Sequence, residues 1–431
     1  MSTIATSPVP HFTTALTGPL LQLERQILDR QAHIESWFRS QWRRSPAPFY
    51  ASVDLRNSGY KVAPVDTNLF PGGFNNLNPA FDALSIQALQ QAVERLGTPV
   101  DRIVIVPENH TRNLFYLENV AVLQRLLERA GFAVRLGSTL PEITQETVIN
   151  LPSGAGIRLA PLVRSGRRVA VGNFDPDFVL LNNDLSSGTP PMLEDIEQML
   201  RPAPRLGWAN RLKSVHFSFY QGVAKEFATL LGIDPWFIDP MFRNCGAIDF
   251  MMREGQSCLE RNVEELLEAI KQKYAEYSVQ CRPFVMVKAD AGTYGMGVMT
   301  AHSVAEVMEL NRKERTKMST IKEGQKVSKV IIQEGVYTNE TWGEGNAVAE
   351  PVVYMIDHNV VGGFYRVHTQ RSSSENLNAP GMRFEPLAFE ECCITPDPSQ
   401  APDAHPNRFY TYGVIGRLAL LAAARESQSV A

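Results

Sequence analysis

The chain has 431 residues, 44% of them hydrophobic and 20% charged, which is enough for two or three globular domains with sizeable cores. A net charge of −4 gives no electrostatic reason to expect nucleic acid or an anionic membrane as a partner. No apolar run is long enough to cross a bilayer and the N-terminus lacks a signal-peptide pattern, so we expect a cytoplasmic protein. The five cysteines have no metal-binding spacing, and we expect mostly reduced thiols.

Residues 1–45 are predicted to form an N-terminal helical segment. Apolar side chains recur at close to helical spacing between residues 19 and 42, among them Leu23, Ile27 and Phe38. An amphipathic helix of this kind buries its apolar stripe against a neighbouring element. We therefore expect the segment to pack on the domain that follows it.

Residues 46–245 are predicted to form an α/β domain, because short apolar runs alternate with amphipathic ones. The predicted strands cover residues 51–55, 61–65, 102–106, 132–136 and 177–181, and the predicted helices cover residues 117–130, 193–200 and 221–231. The strand–helix–strand order between residues 102 and 136 favours a mainly parallel sheet.

Polar side chains follow the ends of several of these strands, where open α/β sheets bind small molecules. Each of them also has a structural explanation, since Asn belongs in turns and surface Arg residues commonly form salt bridges. Both interpretations stay open for the seven candidate substrate-binding residues, which are Arg56, Asn68, Asn75, Asn76, Arg112, Asn183 and Arg211.

Residues 246–431 begin with a predicted helix over residues 259–277, after which a buried strand ends at Lys288. The next loop contains three glycines, and residues 298–300 predict a return strand. Glycines let backbone N–H groups close around an anion, and a lysine beside them suits phosphate. A hairpin with a glycine-rich turn and a surface lysine is the alternative.

The chain downstream of the glycines continues in β-rich runs. Ser303 begins a capping box for a short helix, and strands are predicted over residues 327–333, 347–355 and 360–368. An Asn-rich loop follows, and the tail after Asn407 predicts a helix.

In this order, the motifs resemble the ATP-grasp superfamily, in which a glycine loop covers the nucleotide phosphates. The resemblance implies an N-terminal, pre-ATP-grasp-like α/β domain followed by a C-terminal ATP-grasp domain with two β-rich lobes. It implies that Lys288 and Arg366 are catalytic and contact the transferred phosphate. The implied nucleotide-binding residues are Lys288, Gly292, Tyr294, Gly295, Gly297, Gln333, Glu334 and Val336.

A closer resemblance is to the ATP-grasp type of proteobacterial glutamate–cysteine ligase. It rests on the segments VDLRNSGYKVAPVDTNLFPGGFNN, VPENHTRN, LLNNDLSSG and VKADAGTYGMGVM, and it extends over nearly the whole chain. It implies ATP-dependent joining of the glutamate γ-carboxyl to the cysteine amine through an acyl phosphate, the first step of glutathione synthesis. Such chemistry depends on positioning and charge stabilisation rather than on a protein nucleophile.

The C-terminal tail departs from the superfamily pattern, because it lacks the E-x-N motif that commonly holds magnesium there. Mg²⁺ prefers oxygen ligands and keeps several waters, so a few other side chains would suffice. The candidate metal ligands are Glu350, Asp357, Asn376 and Asn378.

Two other functions remain open from the sequence. The first is a different carboxylate–amine ligase of the same fold, which only the N-terminal loops could distinguish. The second is a non-catalytic nucleotide-binding protein, which the missing E-x-N favours and the joint presence of Lys288, Glu334 and Arg366 opposes. The expected partners are ATP, glutamate and cysteine, and assembly into a homo-oligomer stays open.

Overall fold

The computed structural model describes residues 19–109, 112–292, 297–319, 326–343, 345–386 and 408–429. The helices are α1 Pro19–Asp29, α2 Gln31–Arg44, α3 Asp82–Glu94, α4 Leu114–Arg129, α5 Lys213–Leu231, α6 Gln256–Glu276, α7 Val304–Met308, α8 Arg312–Ser319 and α9 Arg408–Ser429. The strands are β1 Tyr50–Asn57, β2 Val62–Asn68, β3 Arg102–Pro107, β4 Ala133–Ser138, β5 Thr147–Asn150, β6 Gly156–Pro161, β7 Val163–Ser165, β8 Arg168–Ala170, β9 Phe178–Asn182, β10 Met199–Arg201, β11 Phe242–Cys245, β12 Val285–Ala289, β13 Val298–Ala301, β14 Val330–Glu334, β15 Glu340–Trp342, β16 Ala347–Ile356, β17 Asn359–His368 and β18 Arg383–Pro386.

A mainly parallel sheet forms in the first half of the chain, in the order β10-β9-β3-β4-β6-β5. Strand β3 pairs in parallel with both β4 and β9, which confirms the predicted strand–helix–strand unit. Successive side chains of a strand point to opposite faces. Ile103 and Ile105 therefore pack with α4 on one face, and Val104 and Val106 join the core that contains α5 on the other.

The prediction of a helix over residues 193–200 is wrong. The chain there makes a 3₁₀ turn at Pro191–Leu193 and then the edge strand β10, which pairs with β9. The side chain of Gln198 accepts a hydrogen bond from the backbone N–H of Val169 and donates one to its carbonyl. These bonds attach the segment to a neighbouring strand instead of continuing a helix. Tertiary pairing therefore overrides a weak helical pattern.

An antiparallel sheet combines strands from the two ends of the chain, in the order β18-β17-β16-β1-β2, with β15 also paired to β16. Strand β1 lies between β2 and β16, and both pairings are antiparallel. The sheet thus contains strands from both the 46–245 and the 246–431 region, while the proposed domain bounds themselves stay a prediction. Its strands supply five charged side chains to the cleft, namely Asp54, Arg56, Asp66, Glu350 and Arg366.

A second antiparallel sheet has the order β11-β14-β12-β13 and forms the other side of the functional cleft. Apolar residues of α6 at helical spacing, including Val263, Leu266 and Ile270, pack in one core with Val285 and Val287 of β12. This packing fixes the strand that carries Lys288. The α/β class is confirmed, and two antiparallel sheets face each other as the resemblance implies.

The terminal helices pack together around the first sheet. The single helix predicted over residues 19–42 is interrupted at Arg30, which leaves helical geometry with φ −108° and ψ 19° and separates α1 from α2. Helix α9, predicted from the tail, is almost entirely buried and packs against α5, β1 and β2. Within the described ranges, none of the helices has the length and apolar character needed to cross a membrane.

Candidate active site

Two cavities share residues of the sheet that contains β1 and β16, and together they are called the cleft here. The first, here called the Lys288 cavity, is lined by β12 and β14 on one side and by β1, β16 and β17 on the other. The second, the Tyr354 cavity, has a volume of about 420 Å³ and lies between β1, β16 and α4. The residues that line both cavities are Asp54, Asp66, Arg366 and Asn378.

Lys288 is one of the residues that line the cavity named after it. Its Nζ donates to the Val65 carbonyl at 2.9 Å and to Gln333 Oε1 at 2.7 Å. Burial lowers the pKa of this amine to about 8. Gln333 Nε2 has no hydrogen-bond partner although it is buried, so a lysine and an unsatisfied amide donor face the same space.

The glycine loop begins next to this lysine. Gly292 lines the cavity, and both Gly292 and Gly297 have positive φ, at 101° and 60°. These are conformations that glycine adopts without strain. The predicted nucleotide contacts Tyr294 and Gly295 lie outside the described residues.

The buried Asp290 ties the base of the glycine loop to α5. Its carboxylate accepts from the backbone N–H and the hydroxyl of Ser214, both at 2.7 Å, and its carbonyl accepts from the N–H of Lys213. Asp290 thereby satisfies free donors at the start of α5 from a different element. The contact brings Lys213 into the Lys288 cavity.

Glu334 ends β14 and lines the same cavity, but its carboxylate is bound within the protein. Oε2 accepts from Lys61 Nζ at 2.5 Å and Oε1 accepts from Trp236 Nε1 at 3.0 Å. Lys61 also lies over the Trp236 ring, 4.6 Å from its centroid. Gln333 and Val336 line the cavity as well, and the Val336 carbonyl accepts from Arg56.

An arginine–carboxylate cluster forms the opposite side of the cleft. Glu350 accepts from Arg56 Nε at 3.0 Å and from Arg366 Nη1 at 2.6 Å, and Arg366 Nη1 also lies 2.8 Å from Asp54 Oδ2. Burial alone would raise the pKa of Glu350, but the two guanidiniums outweigh it and lower that pKa. Burial raises the pKa of Asp54, and the nearby Glu350 charge adds to this. Arg366 Nε is buried without a partner.

Asp66 faces Asp54 across the β1–β2 ladder and pairs with the lysine that begins α5. The distance from Lys213 Nζ to Asp66 Oδ1 is 2.7 Å. Burial would raise the pKa of Asp66, but the charges of Lys213 and Lys288 outweigh it and lower that pKa. The junction of the two cavities therefore contains both carboxylates and cations.

The Tyr354 cavity owes its shape to a loop held by buried amides. Asn119 Oδ1 accepts from the N–H groups of Gly73 and Phe74, and Asn119 Nδ2 donates to Asn182. Gly73 has φ +112°, and a Cβ there would lie 2.8 Å from the Tyr354 hydroxyl oxygen. Only glycine fits this position well. Asn68 and Asn76, two of the predicted substrate residues, line this cavity.

Other predicted residues lie outside the two cavities. Arg112 is exposed, Asn183 caps a local turn through Leu185 N–H, and Asn75 does not line either cavity. Arg211 is bound by Glu426 of α9 through two 2.9 Å contacts. The structure therefore does not bring these four side chains into the cleft, and we assign them no role there.

Asp357 is separated from the other candidate metal ligands. It lies in the β16–β17 turn and pairs with Arg95 at 2.9 Å. Glu350 is seven residues away on β16, which corresponds to about 20 Å at a rise of about 3.3 Å per residue. Asn376 and Asn378 do line the Lys288 cavity with Glu350.

Three cleft residues, Asp54, Asp66 and Lys213, were not among the sequence candidates, and neither was the buried Asp290 at the base of the glycine loop. Asp54 and Arg56 are two residues apart on β1 and therefore share a face. Charged residues alternating in an otherwise buried strand were a signal that could have identified Asp54. The partners of Lys213 and Asp290 come from distant parts of the chain, and no local pattern indicates them.

The cleft contains hydrogen-bond donors that suit phosphate and oxygen ligands that suit a hard cation. Buried unpartnered N–H groups and lysines suit phosphate oxygens, while carboxylate and amide oxygens suit Mg²⁺. The described part of the chain contains no group of three or more His, Cys, Asp or Glu side chains placed to hold a metal. A magnesium ion that takes most of its ligands from phosphate and water is compatible with this arrangement.

A lysine and a glycine loop on one sheet lie opposite a buried arginine–carboxylate cluster on another, an arrangement suited to an ATP-dependent ligase. Residues 24–427 match the family model described as "Glutamate-cysteine ligase", so the chain belongs to the glutamate–cysteine ligase family. It is an enzyme of glutathione synthesis that joins small molecules and uses ATP. A comparison with curated proteins finds no significant match.

One solved structure agrees with the family assignment, and two others have only low similarity. A protein from Methylobacillus flagellatus KT, provisionally named a gamma-glutamylcysteine synthetase, is 58% identical with a TM-score of 0.91, over 99% of this chain and 100% of that one. D-alanyl-alanine synthetase A from Vibrio cholerae is 12% identical with a TM-score of 0.34, over 74% and 80% of the chains. A glutathione synthetase-like effector from Globodera pallida is 10% identical with a TM-score of 0.39, over 81% and 80%.

Proposed function

We propose that the Lys288 cavity binds the phosphates of ATP and that the Tyr354 cavity binds the amino acids. The γ-phosphoryl group and the glutamate γ-carboxyl then meet where the cavities join, beside Arg366. The observation that carries this proposal is the sharing of Asp54, Asp66, Arg366 and Asn378 by the two cavities.

Unsatisfied donors support the phosphate assignment. Gln333 Nε2 and Arg366 Nε are buried without partners, and both residues line the Lys288 cavity together with Lys288 and Lys213. A buried donor without an acceptor costs free energy, so these groups favour a bound anion. A phosphate oxygen would satisfy them.

The composition of the Tyr354 cavity supports the amino-acid assignment. Its carboxylates, which include Asp54, Asp66 and Asp184, suit the ammonium groups of amino acids. Arg366 is its only lysine or arginine among the described residues, and a guanidinium suits the glutamate γ-carboxylate. Aromatic rings from Phe364 and Tyr354 are compatible with a thiol.

The chemistry follows from this placement. An oxygen of the γ-carboxylate attacks the γ-phosphorus and ADP leaves, and the Arg366 and Lys288 cations stabilise the charge on the transferred group. The cysteine nitrogen then attacks the acyl carbon, and the bond from that carbon to the phosphate oxygen breaks. The proton that the nitrogen loses passes to a carboxylate at the junction, for which Asp54 is suited because burial raises its pKa.

Mg²⁺ is part of the proposal, and Glu350, Asn376 and Asn378 are the residues that would hold it. When bound, it would neutralise charge on the phosphates. Both Glu350 oxygens already contact arginines, so this residue would have to share its carboxylate between the metal and Arg56 or Arg366.

The proposal also implies that the cleft opens to admit ATP. The Lys288 cavity has a volume of about 70 Å³, so the two antiparallel sheets would move apart to admit ATP and would close again around it. Closure around the reactants would shield an acyl phosphate from water.

The proposed function is tested by phosphate release from ATP and Mg²⁺ with amino acids supplied singly and in pairs. We expect γ-glutamylcysteine only with glutamate and cysteine together, and loss of release in Lys288→Ala. Lys271→Ala, an exposed lysine on α6, is the matched control and should keep full activity. Release with a different acid–amine pair would contradict the substrate assignment, and ATP binding without release would contradict catalysis. A cytoplasmic location and any homo-oligomer remain predictions.

A further inference from the structure

A third cavity lies outside the cleft, where five segments of the chain meet. It has a volume of about 430 Å³ and is lined by the α2–β1 connection, the end of α3, the end of β10 with the residues after it, the β16–β17 turn and the end of α9. We call it the Arg201 cavity. It shares none of its lining residues with the Lys288 or Tyr354 cavity.

Three arginines surround this cavity, and two of them are not paired with an acid. Arg95 is paired with Asp357. Arg201 donates to the Leu200 carbonyl and Arg205 to the Ser427 carbonyl, and neither has a carboxylate partner within the described ranges. Each guanidinium has five N–H donors, so most of them remain available to a ligand.

The two unpaired guanidiniums carry like charges and repel each other. Partial burial lowers the pKa of Arg201, and the positive charge of Arg205 lowers it further. The chain as a whole carries a net charge of −4, so a local excess of positive charge is not a property of the entire surface. An anion between the two guanidiniums would relieve their repulsion.

The rest of the lining is apolar. Phe49, Leu206, Ala47 and Leu96 contribute to the wall, together with prolines from two of the segments. A ligand that fills the cavity therefore needs an apolar body as well as an anionic group. A phosphate monoester dianion offers three oxygens that can bridge two guanidiniums at once, which a single carboxylate does less well.

We propose that the Arg201 cavity is a second ligand site that binds a small organic phosphate, with the phosphate group between Arg201 and Arg205 and the apolar body against Phe49 and Leu206. The site is separate from the cleft, because the Asp357 side of the cavity lies about 20 Å along β16 from Glu350. The proposal does not depend on the ligase reaction.

The test uses phenyl phosphate as the probe and measures binding to the full chain by calorimetry. We expect Lys288→Ala to retain the binding and the double variant R201Q/R205Q to weaken it by about tenfold or more. Arg158→Gln, an exposed arginine paired with Glu146, is the matched control and should bind like the unchanged chain. Both cavity arginines are exposed, so thermal unfolding should show that the double variant folds normally.

Loss of phenyl phosphate binding in Lys288→Ala would show that the probe binds in the cleft and would overturn the proposal. Unchanged binding in R201Q/R205Q, or no binding at millimolar probe, would also overturn it. Benzoate binding as tightly as phenyl phosphate would overturn the phosphate assignment, whereas partial recovery of affinity in R201K/R205K would support it.

Discussion

Glu350 and Arg366 face each other across the β16–β17 ladder, and Arg366 Nη1 lies 2.6 Å from Glu350 Oε1. In the proposed mechanism, removal of the Glu350 charge should leave Arg366 free to turn away from the transferred phosphate. We predict that Glu350→Gln lowers kcat about a hundredfold while the protein stays folded, because misplacement of a charge-stabilising group affects mainly the transition state. Steady-state kinetics check this.

The control for that variant is Glu146→Gln, which removes an exposed carboxylate outside the cleft. It should leave kcat unchanged. A Glu350→Gln enzyme with normal kcat would show that the Arg366 position does not depend on this pair. A specific rise in the Mg²⁺ concentration needed for activity would instead support metal binding by Glu350.

The Lys288 amine gives a pH-dependent prediction. Burial lowers its pKa to about 8 from 10.5, so the amine is charged below about pH 8 and becomes neutral as the pH rises through that value. We predict that kcat/KM for ATP falls above about pH 8, because the free enzyme loses the cation that is proposed to bind phosphate. Lys288→Arg should move this fall to higher pH, whereas a profile with the same alkaline limb in both proteins would contradict the role of Lys288.

The buried pair of Arg211 and Glu426 joins the start of α5 to α9. Burial would raise the pKa of Glu426, but Arg211 and His216 outweigh it and lower that pKa to about 2 from 4.5. The resulting stabilisation is present above about pH 4.5 and is lost as the pH falls towards 2. Glu426→Gln should therefore lower the free energy of unfolding by about 3 kcal/mol at pH 7.

Denaturant unfolding at several pH values measures this difference, which should shrink in acid. Glu226→Gln is the control, since Glu226 forms an exposed pair with Arg425 on the same two helices. It should cost less than about 1 kcal/mol. Equal effects of the two variants at pH 7 would show that burial of the Glu426 pair adds no stability.

Gly73 provides a test of the loop that shapes the Tyr354 cavity. Its positive φ of 112° and the 2.8 Å approach of Tyr354 Oη to an added Cβ both oppose a side chain. We predict that Gly73→Ala raises KM for an amino acid at least several-fold and lowers the unfolding temperature by a few degrees, since backbone strain costs about 1–3 kcal/mol. Gly97→Ala, which has positive φ but open space around it, should cost less stability and leave KM unchanged.

Much of the cleft could be predicted because its signals are local. The strand that ends at Lys288, the glycines after it and the return strand are adjacent in sequence, and β12 and β13 form there. The long hairpin with Glu350 and Arg366 was also evident from its two β-rich runs. In contrast, Arg211 looked like a substrate arginine because its partner Glu426 is 215 residues away. The pairing of β1 with β16 likewise joins distant segments and has no local pattern.

Phosphorylation of the glutamate γ-carboxyl in this cleft is tested most directly by isotope transfer. Glutamate labelled with ¹⁸O in its γ-carboxyl is incubated with ATP, Mg²⁺, cysteine and the enzyme, and the released phosphate is analysed by mass spectrometry. An acyl phosphate requires one labelled oxygen to move into each phosphate that accompanies γ-glutamylcysteine. Unlabelled phosphate formed together with that product would contradict activation of the carboxyl by ATP.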